Sequence, residues 1–496
     1  MPYRGGPVTT FAALAPLLLV LALLASGRTT ALVAGLAGLA ATMAAAAWID
    51  TGGIGTGGIA AGGPWTALMV REIPAGLWLS WQVLAIIVTG VFFHRANQTR
   101  LVGSGSTTLE ATPRRLWSVC FLLAPFAESV TGFGVGYMIA LAALKRLGIG
   151  GLEALLLGLY SQSLVPWGAL AIGTTVGATL AGLTPNQLGV ASALLQMPIH
   201  ALYLLLYWRF ARQAGLAVPL AQKLDDIAWT ALLLALVFLT NRFSDIEIAG
   251  AAPTALLLVL RFWRDERPDG RRALAALRAN APYVALTLAL CATRLVASLR
   301  DLLRPLLSWK PYDNQPAFAP FYAPGFWLLA IGIAVILLGR ASLAKVTRET
   351  ARAAWRASAV TVAFMLMAEL YVGSGMAAVL AEALQGAAGH GAVLGVPLFG
   401  AVSGFLTGSG AAANAMVMPM EIALGHALAL DPAWIAAIQN SVTTNLTMLS
   451  PIRVSMGAAI LALAASDAAL YRRAWPLALP PLVVGFGTAV LLLAWG

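Results

Sequence analysis

Charged side chains are scarce in this chain. Asp, Glu, Lys and Arg make up 10% of its 496 residues, while 60% are hydrophobic. A soluble domain carries about 25% charged residues, so an ordinary soluble fold is excluded and an integral membrane protein is expected. Cysteine is nearly absent: Cys120 and Cys291 both lie in apolar runs, which points to packed thiols rather than a disulfide or a metal site. His94, His200, His390 and His426 are scattered, with no His-x-x-x-His or Cys-x-x-Cys spacing, so zinc is not expected. No Walker loop is present, and the glycine-rich piece Gly52 to Gly63 lacks a following Lys-Ser/Thr. It reads as an external loop, and ATP drive within the chain is not expected.

The net charge of +11 is informative through its placement. Basic residues gather in short stretches between apolar runs, at His94 to Arg100, Arg261 to Arg278 and Arg340 to Arg356. That is the positive-inside pattern of a membrane protein rather than a nucleic-acid surface. The run Phe11 to Ala25 is compatible with a signal peptide. A second apolar run, Thr30 to Ile49, follows almost at once, and two spanning helices are the simpler reading.

Two short polar stretches interrupt apolar runs in corresponding places of the two halves: FAESVTGFGVG, Phe126 to Gly136, and FLTGSGAAANAMV, Phe405 to Val417. Irregular backbone at membrane depth survives only where it lines a cavity or is buried in protein. A matched pair of interrupted segments is the best pointer to a secondary transporter's binding site. Leu116 to Ala127 is too short to cross about 30 Å of hydrocarbon as a helix, and basic residues stand at both ends of the first unit. It therefore reads as a re-entrant hairpin open to the cytoplasm, with one long kinked helix as the plain alternative. Each hairpin is followed by a run broken at a proline, at Pro166 after Ser161-Gln162-Ser163 and at Pro451 after Ser450.

The expected fold is an all-α polytopic membrane protein with two inverted-topology repeats, each with a re-entrant hairpin and a broken transmembrane helix, plus scaffold helices. The division is 1–112 for N-terminal scaffold helices, 113–212 for the first repeat, 213–356 for middle scaffold helices, and 357–496 for the second repeat and final span. Within the third unit, Ser342 to Arg356 is expected to lie along the inner membrane surface.

At the two polar stretches the chain resembles the lactate permease family of bacterial carboxylate transporters. Glu128, Gly132, Phe133 and Gly134 match a Leu-Glu-x-x-x-Gly-Phe-Gly segment, and Phe405, Thr407, Gly408, Ser409 and Asn414 match a Phe-x-Thr-Gly-Ser segment with a following Asn. Asn440, Ser441 and Asn445 in the second broken helix are a looser match. The resemblance covers about Arg114 to Trp208 and Arg352 to Ser466. It implies a permease of the bacterial inner membrane that takes up short 2-hydroxy monocarboxylates such as lactate or glycolate with protons. It also implies the ion-transporter superfamily, whose hairpins and broken helices move as an elevator and whose members often dimerise through a scaffold. The chain departs from the pattern at Ser450-Pro451-Ile452-Arg453, where a basic residue stands just past the break.

A small carboxylate within a membrane needs N–H, hydroxyl or amide donors and little competing negative charge. Helices starting at the breaks supply N–H groups and a positive dipole end. Ser129, Thr131, Gly132, Phe133, Gly134, Gln162, Thr407, Gly408, Ser409, Asn414, Asn440, Ser441 and Asn445 are the candidate substrate-binding residues. Each hydroxyl can equally bond its own helix backbone, and each glycine can equally serve helix packing. Arg453 is a candidate for the substrate carboxylate through its bidentate fork, with pairing to Glu128 or Glu369, or snorkelling, as alternatives. Arg294 is expected to pair or snorkel. An ionised carboxylate is costly inside a membrane, which suits Glu128, and secondarily Glu369, to carry the coupling proton. Glu128 can instead brace the hairpin tip. Freed carbonyls beside Pro166 and Pro451 leave sodium coupling as an alternative. A membrane enzyme, the alternative of another class, needs a catalytic cluster, and only scattered carboxylates are visible. No cofactor or resident metal is expected.

Overall fold

The computed structural model describes residues 7–51, 65–101, 109–132, 134–312 and 315–495. The glycine-rich piece Gly52 to Gly63 and Phe133 lie outside them. Among the described residues nine helices are long and apolar enough to cross a membrane, or up to eleven if each of two bent pairs counts as one span. No strand forms among them, and one isolated antiparallel bridge joins Trp309 and Phe318.

The first hairpin begins where Thr112 accepts a bond from the Arg115 N–H and Pro113 occupies the first turn, a start signal in which the missing proline N–H costs nothing. Its first arm runs through Pro113–Ser118, a π-helical turn Val119–Leu123 and Ala124–Thr131. Gly132 and Gly134, at φ 67° and 78°, turn the chain in a conformation that a Cβ would strain. Val135–Arg146 returns. The arms touch so closely that a Cβ on Gly136 would collide with the Ala124 carbonyl and the Glu128 backbone.

The first broken helix comprises Gly151–Tyr160, a short 3-10 turn Val165–Trp167 and Gly168–Leu180, its halves bent by 61°. Ala169, Leu170 and Ala171 are all left-handed, at φ 49°, 55° and 61°. A long helix, Pro185–Gln213, follows from a Thr184/Gln187 capping box.

The second repeat has the same order. Gly395–Thr407 enters, Gly408 (φ 64°) turns, and Ser409 caps Gly410–Ala427 by accepting the Ala412 N–H. The second broken helix runs Pro432–Leu446 and Thr447–Leu449, then restarts as Pro451–Ile460 with Ser450 as cap. The base of the first hairpin carries Arg114, Arg115, Lys145 and Arg146, whereas residues 389–394 and 428–431 around the second contain no Lys or Arg. By the positive-inside rule the two hairpins open on opposite faces.

Scaffold helices surround this unit. Trp65–Leu101 packs along Pro324–Leu338 and Leu343–Gly373. Here the structure corrects an expectation: the basic stretch from Ser342 to Arg356 does not lie apart on the surface but runs straight on into the span. Val346, Thr350 and Ala354 are buried at four-residue spacing, and Val346 packs with Phe92, Ala96 and Ile336, so the helix has an apolar face to continue on. Met376–Ala388 is a further helix that the apolar pattern left unassigned.

Buried ion pairs anchor the unit at its ends. Arg261 reaches Asp225 and Asp265, each at 2.8 Å, and lies over Trp117 at the foot of the first hairpin. Arg294 pairs with Glu247 at 2.7 Å and donates to the Tyr322 carbonyl, which is the structural pairing expected of it.

The tight contact between the arms of the first hairpin is testable. Gly136→Val should cost about 1–3 kcal/mol through overpacking, seen as a lower unfolding temperature of the purified protein in detergent. An unchanged midpoint would mean the arms do not meet at this residue.

Candidate functional site

Each hairpin tip rests on the break of its own repeat. A Cβ on Gly132 would strike Ala169, and one on Gly408 would stand 2.9 Å from the Ser450 hydroxyl. The repeats also cross. Asn414, on the second hairpin, donates to the Gly173 carbonyl of the first broken helix at 3.0 Å. Arg453, on the second broken helix, donates to Gln162 at the first break at 2.8 Å and stands 3.6 Å from Glu128 of the first hairpin. The two tips, the two breaks and the helix Pro185–Gln213 thus meet in one place.

A continuous polar band fills it. Glu128 accepts the Gly134 N–H at one carboxylate oxygen (3.1 Å) and the Gly136 N–H at the other (3.0 Å). Next to Gln162, the Ser163 carbonyl accepts from Gln196, whose side-chain oxygen accepts from Asn445 at 3.3 Å. Asn445 also donates to the Ser441 carbonyl. Beside it, Asn440 donates to Thr174 (3.1 Å) and Ser192 (3.0 Å) and accepts from Asn414 (2.9 Å). Thr174 in turn donates to the Pro166 carbonyl, a group released by the break. Gln162, Ser163, Asn414, Asn440, Ser441 and Asn445 are all at most 1% exposed, so the band is closed to solvent.

Buried polar groups are normally paired, yet this band keeps spare capacity. The Gln162 amide nitrogen, the Ser163, Ser441 and Tyr137 hydroxyls, and the side-chain oxygens of Asn414 and Asn445 lack partners. Tyr137 Oη abuts Gly457, one turn beyond Arg453. These free donors and acceptors lie in the same buried band as the Arg453 guanidinium, a chemistry suited to one small carboxylate bearing a hydroxyl.

The candidates divide accordingly. Glu128, Gly134, Gln162, Asn414, Asn440, Ser441, Asn445 and Arg453 belong to the band. Thr407, Gly408 and Ser409 form the second hairpin tip beside Ser450, but Thr407 donates to the Ser403 carbonyl and the Ser409 hydroxyl is used as a cap. Gly132 is taken up by packing on Ala169. Thr131 donates to the Ala127 carbonyl, and Ser129 faces Gly250 and Trp167 away from the band. Glu369 lies on the scaffold helix Leu343–Gly373, where it accepts from Gln315 at 2.7 Å.

Several members were missed in the sequence. Ser192, Gln196 and His200 line one face of Pro185–Gln213 at four-residue spacing, a stripe visible in the letters. His200 continues it by bonding the Gln196 carbonyl. Glu421, farther along the second hairpin, is fully buried with both carboxylate oxygens unpartnered; a lone carboxylate in an apolar run was the available signal. Among the described residues no cluster of His, Cys, Asp and Glu could hold a metal ion.

A family model described as L-lactate permease matches residues 9–493. The crystal structure of the Alcanivorax borkumensis YdaH transporter, whose topology is described as unusual, aligns with 99% of this chain and 98% of its own, at 14% identity and a TM-score of 0.43. No curated protein matches the chain.

Two substitutions separate the band from its surroundings. Asn440→Leu removes the partner of the Ser192 hydroxyl and one bond each from Asn414 and Thr174, and should cost about 1–3 kcal/mol. Ser129→Ala removes a buried hydroxyl that has no partner, so no bond is lost and stability should be unchanged or raised. Denaturation of the purified variants in detergent checks both, and equal losses would contradict the assignment.

Proposed function

The chain belongs to the L-lactate permease family, and on that basis we propose that it imports a short 2-hydroxy monocarboxylate, such as lactate or glycolate, together with a proton. The observation that carries this reading is the closed polar band: one guanidinium, Arg453, in a buried network that keeps unpartnered amide and hydroxyl groups where two broken helices cross. Arginine's planar fork matches a carboxylate. Gln162, Ser441, Asn445 and Asn414 supply groups for the second carboxylate oxygen and the 2-hydroxyl. Thr407, Gly408 and Ser409, at the second hairpin tip, border the site. Glu128 carries the proton.

An elevator motion fits the same arrangement. The hairpins and broken helices are cross-bonded between repeats, which favours their moving as one body made from 113–212 and 395–460. The second hairpin meets the scaffold through an apolar cluster that includes Phe364, Ala368, Ala412 and Met416. Apolar surfaces slide without leaving polar groups unpaired. Because the band is closed, substrate enters and leaves only when this body shifts.

Uptake of labelled L-lactate into proteoliposomes, with pH and Na⁺ gradients imposed separately, tests the reading. An acid-outside gradient of about one pH unit should support about tenfold accumulation, and a Na⁺ gradient alone should support none. Uptake driven by Na⁺ and indifferent to pH would replace proton coupling with sodium coupling. Arg453→Gln should lower lactate uptake at least about thirtyfold, the lower end of the cost of truncating a desolvated charge contact. Uptake within twofold of the parent would remove Arg453 from the substrate site.

A further inference from the structure

Among the described residues Arg453 is the one cation of the buried band, and it faces a carboxylate that belongs to the protein. Glu128 stands 3.6 Å away, an ionic contact longer than the usual 2.7–2.9 Å charge-assisted bond. The two carboxylate oxygens of Glu128 are meanwhile held by the N–H groups of Gly134 and Gly136. Gln162 fixes the guanidinium from the other side through Nη1. The pair is therefore positioned, but not by a tight bond between its members.

Resting on the proposed uptake of a monocarboxylate, we infer that the substrate carboxylate and Glu128 exchange places on Arg453, and that this exchange is what ties one proton to each substrate. In the empty carrier Arg453 is balanced by ionised Glu128. The arriving carboxylate takes the guanidinium. The Glu128 oxygen nearer Arg453 then loses its counter-charge and takes a proton delivered from solution as hydronium, which leaves as water, while its other oxygen keeps the Gly136 N–H. No covalent bond is made or broken except O–H. The site sums to zero charge before, as Glu⁻ and Arg⁺, and after, as GluH, Arg⁺ and substrate⁻. A loaded site without the proton would bury one uncompensated negative charge, and an empty site with it one positive charge. Either costs several kcal/mol, so both slipping states are suppressed. The unpartnered Gln162 amide nitrogen and the Tyr137 and Ser163 hydroxyls join Ser441, Asn445 and Asn414 in receiving the rest of the substrate.

The surroundings bring Glu128 no competing charge at contact distance. The segments Val165–Trp167 and Gly168–Leu180 packed on its arm carry no titratable side chain. The return arm contributes Tyr137, with Lys145 and Arg146 at its far end. Arg261, on the neighbouring helix Ala251–Arg261, is committed to Asp225 and Asp265. On Trp65–Leu101, Arg71 pairs with Glu72, and His94, Arg95 and Arg100 lie toward the end of that helix. Among the described residues Arg453 is the ion-pair partner of Glu128.

The test is binding rather than transport. L-lactate is added to the purified protein in weakly buffered detergent solution with a pH indicator, and its Kd is measured across pH. The expected result is about one proton taken up per lactate bound, with Kd rising about tenfold per pH unit on the alkaline side. In Glu128→Gln both signals should vanish and Kd should become flat with pH. Lactate binding without proton uptake in the parent protein, or proton uptake that persists in Glu128→Gln, would overturn the exchange while leaving the transport reading intact. Failure of the parent protein to bind lactate would instead defeat the transport reading. If Glu128→Gln cannot be purified, Glu128→Asp decides. A carboxylate drawn back by one methylene competes less for Arg453, so lactate should bind several-fold tighter at the same pH. Equal or weaker binding would overturn the proposal.

Discussion

A helix broken away from water exposes backbone groups that nothing outside the protein can satisfy. Much of this structure is an answer to that constraint. The break after Tyr160 releases the Pro166 carbonyl, and Thr174, beyond the left-handed residues, meets it. The restart at Pro451 opens a helix end, and Ser450 caps it. The turn of the first hairpin leaves the Gly134 and Gly136 N–H groups pointing inward, and Glu128 accepts both. Each repair brings another polar side chain to the middle of the molecule, and these side chains then need partners of their own. The band is the accumulated result, with a few hydrogen-bonding positions left unfilled.

The repairs are made across the repeats as well as within them. Arg453 reaches from the second broken helix to the first hairpin and the first break, and Asn414 reaches from the second hairpin to the first broken helix. Neither repeat is complete alone. A buried charge pair is weak evidence for stability, and at 3.6 Å the Arg453–Glu128 contact marks where the two halves cross without clamping them together.

Glycine and proline made the architecture legible. The positive-φ turns at Gly132, Gly134 and Gly408 and the restarts at Pro166 and Pro451 stand in the letters, and the basic residues flanking one hairpin but not the other fix the inversion. The packing partners were less legible. Ser129 and Asn414 look alike as polar residues near a turn, yet helical phase sends one toward Trp167 and the other into the band. Glu128 and Arg453 lie far apart in the chain, and only the crossing of the repeats joins them. The stretch from Ser342 to Arg356 misled because its basic residues mask the buried face of Val346, Thr350 and Ala354. The Ser192, Gln196 and His200 stripe could have been read, since four-residue spacing on an apolar helix is a plain signal.

Ala169, Leu170 and Ala171 announce nothing: no residue there favours the left-handed region, and tertiary contact with the first hairpin imposes it. Each L-residue so wound costs about 1–2 kcal/mol, and the second broken helix has no counterpart, since Ser450 and Pro451 restart it without a positive φ. The two halves of this molecule are therefore alike in path but unequal in tension. The likeness of the halves is one of route, and each break reaches it through its own backbone conformation.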